Sequence, residues 1–351
     1  MKVGVLTFHR CVNYGSYWQA RCLLEGLRGL GHQAVLLDHH APEIWRAEQR
    51  CAFQPLLPTR TRRADLPLYG AKARRFEEAF EALPQSRRFD LHRPEDAGDY
   101  DMVLVGSDEV WNFRHPWYGF KPIFFGERLR AGRLASYAAS FGNHDAHEGI
   151  DPDWSAKLDR FDAVSVRDEN SRALVRDGIG RDPDLVLDPC LQFPPVRPER
   201  DAEEQPYLAV YGHGLPDWFA AAVRRWADAE GKRVLSIGYR NDWADEQRIE
   251  AGPDGFAALM SGADAVATNF FHGCVFAMQF ERPFVCAPSA YRRNKVHDLT
   301  RLLGAERHMV TARTPPDMYG QLLGAPIDAA VGGRIAALRV QSTAYLDKVL
   351  G

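Results

Sequence analysis

Twice in this chain an apolar strand runs into a short polar loop, an amphipathic helix and a second apolar strand. Residues 3–8, VGVLTF, lead into HRCVNYGS; Ala20, Leu23, Leu24 and Leu27 then fall at helical spacing before Gly31, and QAVLLDHH follows. Residues 207–211, YLAVY, repeat the plan with the loop GHGLP, a helix carrying Phe219, Ala222, Val223 and Trp226 on one face, Gly231, and the strand RVLSIGY. A strand–helix–strand crossover brings its two strands parallel. Each start therefore predicts a Rossmann-like unit, and the chain an α/β fold of two doubly wound sheets facing a cleft. The length of 351 residues also exceeds what one hydrophobic core usually serves.

Between the two starts, strands are legible in DYDMVLVG, RLASYAASFG, FDAVSVRD and PDLVLD; after the second come DAVATN and PFVCAP. The Pro-rich stretch from Pro189 to Pro206 reads as the linker. The expected division is an N-terminal domain over 1–195, a C-terminal domain over 205–330, and a C-terminal helix within 332–351 packing across them.

Bulk properties exclude several classes. A net charge of −3 gives no field to attract nucleic acid. The six cysteines form no CxxC pair and no zinc-spaced cluster, which predicts reduced, mostly buried thiols and no metal site. The apolar run at the N-terminus is too short for a signal peptide and no segment approaches a membrane span, so a cytoplasmic protein without an integral membrane segment is expected. Nothing in the sequence fixes an oligomer.

Ligands of doubly wound sheets bind beyond the carboxyl ends of the strands. His272 stands there, in TNFFHGCVFAMQF, where Gly273 allows a tight turn and an apolar helix begins. It can supply a proton beside amides that favour an anion, or it can simply cap the helix. Arg167 ends DAVSV and precedes Asp168 and Glu169, the cap and first turn of the next helix; it suits a bidentate anion clamp or an ion pair with a neighbouring acid. In VGSDEVW, Gly106 and Ser107 permit close backbone approach and Asp108 or Glu109 can accept a hydroxyl proton; a capped strand-to-helix turn explains them too. Asn13, Tyr14 and Gly15 form the first loop, where backbone amides can meet an anion, without any dinucleotide or P-loop motif. Eight basic residues between Arg46 and Arg75, facing only Glu48 and Asp65, read as a solvated face or as a strip for a phosphate-bearing or lipid-linked acceptor at a membrane surface.

Five segments in order, GVLTFHRCVNYGSYWQARCLLEGLRGLGH, DYDMVLVGSDEVWN, RLASYAASFG, VSVRDENSRALVRDGI with VLDPCL, and ADAVATNFFHGCVFAMQFERPFV, resemble the polysaccharide pyruvyl transferase family. The resemblance implies a B-type glycosyltransferase-like fold and transfer of a pyruvyl group from phosphoenolpyruvate, a co-substrate with no further cofactor, to hydroxyls of a sugar, glycan or lipid-linked acceptor. It implies His272 as the catalytic acid and Arg167 as the donor's clamp; Asp108, from its own place in VGSDEVW, is a further catalytic candidate. Phe271, Gly273, Asn13, Gly15 and Lys295 would join the donor site; Asn13, Tyr14, Ser107, Asp108 and Trp111 the acceptor site, with Trp18, Trp117 and Tyr118 available to stack on sugar. Where some members of that family carry an arginine two residues before the histidine, this chain has Phe270, and Arg292, Arg293 or Lys295 are the nearby cations in sequence. Nucleotide-sugar glycosyl transfer, or glycan binding without catalysis, are the alternatives.

Overall fold

The computed structural model describes residues 1–197 and 206–351. It divides into two compact units: the first comprises Met1–Gln49, Phe80–Pro194 and Ile335–Gly351, the second Arg50–Ala79 and Pro195–Arg334.

The strands are β1 (Lys2–Leu6), β2 (Gln33–Leu36), β3 (His39–His40), β4 (Phe89–Asp90), β5 (Asp99–Val105), β6 (Arg130–Ser136), β7 (Ser165–Val166) and β8 (Asp184–Leu185) in the first unit. In the second they are β9 (Tyr207–Tyr211), β10 (Arg233–Ile237), β11 (Glu246–Arg248), β12 (Ala265–Thr268) and β13 (Phe284–Cys286). The helices are α1 (Tyr14–Gly29), α2 (Pro42–Phe53), α3 (Leu66–Glu81), α4 (Pro152–Leu158), α5 (Glu169–Ile179), α6 (Pro189–Gln192), α7 (Asp217–Ala229), α8 (Pro253–Gly262), α9 (Phe271–Gln279), α10 (Arg293–Leu303), α11 (Pro316–Gly324) and α12 (Ala329–Leu350).

In the first unit the main sheet has the order β2-β1-β5-β6, and single bridges from Ala135 to Ala163 and from Ala139 to Val166 carry the pairing on toward β7. In the second the order is β11-β10-β9-β12-β13. Every ladder in both is parallel. Parallel strands are covered on both faces, which is why β9 and β12 read as unbroken apolar runs and are buried throughout. Leu6, Val103, Val105, Trp111 and Phe125 belong to the first core; Leu208, Val210, Phe219, Trp226 and Val285 belong to the second. Each such side chain contributes about 1.5–3 kcal/mol by leaving water.

The expected division near residue 200 is corrected in two places. Residues 50–79 belong to the second unit because α3 and the turn before it are bonded there: Lys72 Nζ donates to Gly238 O at 3.0 Å, Arg75 Nη1 to Glu250 O at 2.6 Å, and Arg240 Nε to Asp65 at 2.5 Å. From Ile335 onward the C-terminal helix belongs to the first unit, where Tyr345 donates its hydroxyl to Ser136 O at 2.6 Å and Leu187 N donates to Ser342 Oγ at 2.9 Å. The expected linker begins too early, since Pro189–Gln192 is a helical turn capped by Asp188; Pro198 and the following residues to 205 lie outside the described part.

The topology fixes where to look for a site. Strand order reverses between β1 and β5 in the first unit and between β9 and β12 in the second, and the crevice beyond such a reversal is where open α/β sheets hold ligands.

Candidate active site

In the first unit, the segments that leave β1 and β5 meet around Asp108. Its backbone takes a left-handed φ of 75°, a conformation that Asp tolerates better than most side chains, and Oδ1 accepts from the Glu109 amide at 2.9 Å. Ser16, in the first turn of α1, donates its hydroxyl to Asp108 Oδ2 at 2.8 Å. Arg167, just past β7, donates from Nη1 to Asp188 at 2.9 Å and to Ser107 Oγ at 3.3 Å, and from Nη2 to Asp108 Oδ1 at 3.4 Å. Sequence spacing thus brings Ser107, Asp108 and Arg167 into one buried network and adds Ser16 and Asp188.

Arg167 is almost fully buried, its side chain 2% exposed. Burial disfavours its charge, but Asp188, then Asp108, Glu109 and Asp168, outweigh that and hold its pKa above the ordinary arginine value. The expected ion pair with an acid is real, although its hydrogen-bonded partners are Asp188 and Asp108; Asp168 instead caps α5 by accepting from Ser171 N at 2.7 Å.

Other expectations for this unit are corrected. The amides of Gly15 and Ser16 are already taken by the Asn13 side chain, at 2.8 and 3.2 Å, so this loop is a helix cap and does not present those amides to an anion. Trp111 is core: its ring packs on Phe125, Phe141 and Phe161, and Nε1 donates to Phe124 O at 2.8 Å. Tyr14, Trp18 and Tyr118 are buried as well, which removes them as open sugar platforms. Trp117 remains half-buried, its Nε1 donating to Glu48 Oε1 at 2.7 Å.

In the second unit, β9 and β12 end side by side in Gly212-His213 and Asn269-Phe270. Asn269 Nδ2 donates to His213 O at 2.8 Å, and a Cβ on Gly212 would come within 2.4 Å of Asn269 Oδ1, so this approach requires glycine. Phe270 is the N-cap of α9, which places Phe271, His272 and Gly273 in the first turn. The amides of a helix's first turn and its dipole favour an anion. His272 is buried, and its ring meets that of Phe271 edge-on at 5.1 Å. Gly273 makes no turn; it lies within the helix, where its missing side chain leaves room for Thr268.

Around Phe270 stand three rings: Tyr211 at 4.8 Å, His213 at 5.2 Å and Tyr239 at 5.5 Å between centroids. Arg292 lays its guanidinium on the Phe270 face, 4.4 Å from the ring centre, and donates from Nη1 to Ser289 Oγ at 3.2 Å. Lys295 lies one turn on, 5.6 Å from the Tyr291 ring. Burial, with Arg292 and Lys72 adding to it, pushes His213 down to about 4 and keeps it neutral at pH 7. Within the basic run, Lys72 is buried, Arg75 is bonded to a carbonyl and Arg62 is paired with Asp242, so only part of it forms a free solvated strip.

His213, Tyr239, Lys72 and Glu48 are missed by motif reading. A signal existed for two of them: Lys72 shares a helical face with Tyr69 and Phe76, and Glu48 with Ile44.

Two all-parallel Rossmann-like units with polar residues beyond their strand ends are a fold shared with solved nucleotide-sugar epimerases. The fold is similar to that of Staphylococcus aureus MnaA solved with UDP (TM-score 0.53, 11% identity, 92% of this chain and 87% of that one). It is likewise similar to the UDP-GlcNAc 2-epimerase of Methanocaldococcus jannaschii (TM-score 0.53, 12% identity, 96% of this chain and 99% of that one). No curated protein matches the sequence. The sequence model of the polysaccharide pyruvyl transferase family matches residues 13–289, and the chain belongs to that family; it is a transferase. No described helix is long and apolar enough to cross a membrane.

Proposed function

We propose that this transferase moves the pyruvyl group of phosphoenolpyruvate onto two hydroxyls of a sugar or glycan-like acceptor, free or lipid-linked, as a cyclic ketal in cell-surface glycan or exopolysaccharide synthesis. The observation that carries the reading is the first turn of α9, where His272 stands among helix-start amides while Arg292 brings a cation onto Phe270. That turn combines a proton carrier with positive charge for a carboxylate or phosphate, which is what an enol phosphate requires.

In this scheme His272 protonates the methylene carbon of the donor. The oxocarbenium-like carbon accepts one acceptor hydroxyl, whose proton leaves; phosphate departs from the resulting adduct, and a second hydroxyl closes the ketal. The products are the ketal and inorganic phosphate. Arg292 and the amides of Phe271, His272 and Gly273 hold the donor's anionic end, with Lys295 close by in sequence. By its resemblance to the family's donor-binding arginine, Arg167 is the donor's second clamp. Asp108, tied by Ser16, Glu109 and Arg167, would orient an acceptor hydroxyl through Ser107 and its own carboxylate.

Calorimetric titration of phosphoenolpyruvate into the wild type, Arg167→Ala and His272→Ala tests the reading. Binding by the wild type that collapses in Arg167→Ala, with His272→Ala still binding but unable to release phosphate, is expected. If the wild type ignores phosphoenolpyruvate while UDP or a nucleotide sugar raises its melting temperature, glycosyl transfer takes its place.

A further inference from the structure

Glu48, on α2 in the first unit, is a half-buried carboxyl with no ion-pair partner among the described residues. Its Oε1 accepts both the Trp117 indole N–H, at 2.7 Å, and the Cys11 thiol, at 3.4 Å; Oε2 receives neither. Cys11 follows β1 and Trp117 follows β5, the two strands between which this sheet reverses its order. Glu48 and Trp117 both keep part of their surface open to solvent, unlike Trp111 and Tyr118 of the same segment.

We propose that Glu48 and Trp117 form a subsite for a neutral sugar, with Glu48 Oε2 binding a ring hydroxyl and the indole of Trp117 covering an apolar face of the ring. The inference rests on the sugar-acceptor reading above and deepens it by naming the acceptor's charge class. Two observations favour a neutral ligand. The negative charge of Asp108 acts on Glu48, which opposes an anionic sugar. Burial, against the bonds from Trp117 and Cys11, pushes the Glu48 carboxyl up to about 7, so near neutral pH it offers both a donor and an acceptor, as a hydroxyl does. Trp117 itself meets His115 edge-on at 5.0 Å, an arrangement that holds the indole plane in place.

The experiment uses the full chain, with saturation-transfer NMR and tryptophan fluorescence at millimolar ligand. The neutral probes are the methyl glycosides of galactose, glucose and mannose; the charged probes are glucuronate and glucosamine. At least one neutral glycoside is expected to bind, and to lose about tenfold or more in affinity in Glu48→Leu and in Trp117→Ala, the effect of one lost hydrogen bond or ring contact. Trp117→Ala decides the matter if Glu48→Leu does not fold. Binding by none of the neutral probes, tighter binding of glucosamine or glucuronate, or unchanged affinity in the folded variants overturns the proposal. Phosphoenolpyruvate is titrated into the same samples. Donor binding without any glycoside effect sinks the subsite alone, whereas a glycoside effect without donor binding keeps the subsite and removes the pyruvyl donor.

Discussion

Arg292 rests its guanidinium on the face of Phe270, 4.4 Å from the ring centre, and Phe270 is the residue that caps α9 immediately before Phe271 and His272. A side chain that carries no charge thus holds one in place by its ring. His213, the other nitrogen base against Phe270, is held neutral by burial and by Arg292 itself, so the fixed charge at this spot is that of Arg292.

Arg292→Ala is therefore expected to weaken phosphoenolpyruvate binding about 10- to 100-fold, the range of a hydrogen bond to a charged group. Arg293→Ala, at an exposed neighbouring position, serves as the control and should change little. Calorimetry on both variants checks this; equal losses would mean that general basicity of the segment, and not the Phe270 contact, attracts the donor.

Gly273 gives a prediction about stability. A Cβ there would lie 2.0 Å from Thr268 Oγ1, and that hydroxyl already donates to Tyr211 O at 2.6 Å and accepts from Phe270 N at 3.0 Å. Gly273→Ala must push α9 away from β12 or break these bonds, at about 1–3 kcal/mol for overpacking. Gly273→Ala with Thr268→Ala should recover part of the loss in a urea titration. A fully neutral Gly273→Ala would mean that α9 shifts freely against β12.

The two-unit plan was legible because each unit opens with a strand, a helix and a strand whose apolar periods are unambiguous, and parallel strands buried on both faces leave long apolar runs such as YLAVY. Arg167, Asp108 and Ser107 were legible as residues at strand ends. What sequence order hides is the exchange of segments between units. Residues 50–79 precede most of the first unit in the chain, yet Lys72 and Asp65 bond to Gly238 and Arg240. The basic run looked uniform for the same reason, since a lysine buried against an aromatic ring has the same letter as a solvated one. Trp111 misled because its position after VGSDE suggests a loop, while its ring turns back among Phe125, Phe141 and Phe161.

Lys72 is the most direct test of that hidden arrangement. Its Nζ donates to Gly238 O and lies 4.3 Å from the centre of the Tyr239 ring, and burial pulls its pKa down to about 7 from the ordinary lysine value. A lysine whose folded pKa is lowered binds fewer protons folded than unfolded at any pH between the two values, so stability rises with pH across that window, by up to about 1.4 kcal/mol per pH unit. Below pH 7 both states are protonated and the group adds no slope. Between pH 7.5 and 9.5 the wild type should therefore gain stability relative to Lys72→Met, which cannot titrate, while the two should run parallel between pH 5 and 6.5. Urea unfolding of both proteins across this range is the measurement. Parallel curves throughout would show that Lys72 stays fully charged when folded, and with it that α3 does not enclose this lysine against Gly238 and Tyr239.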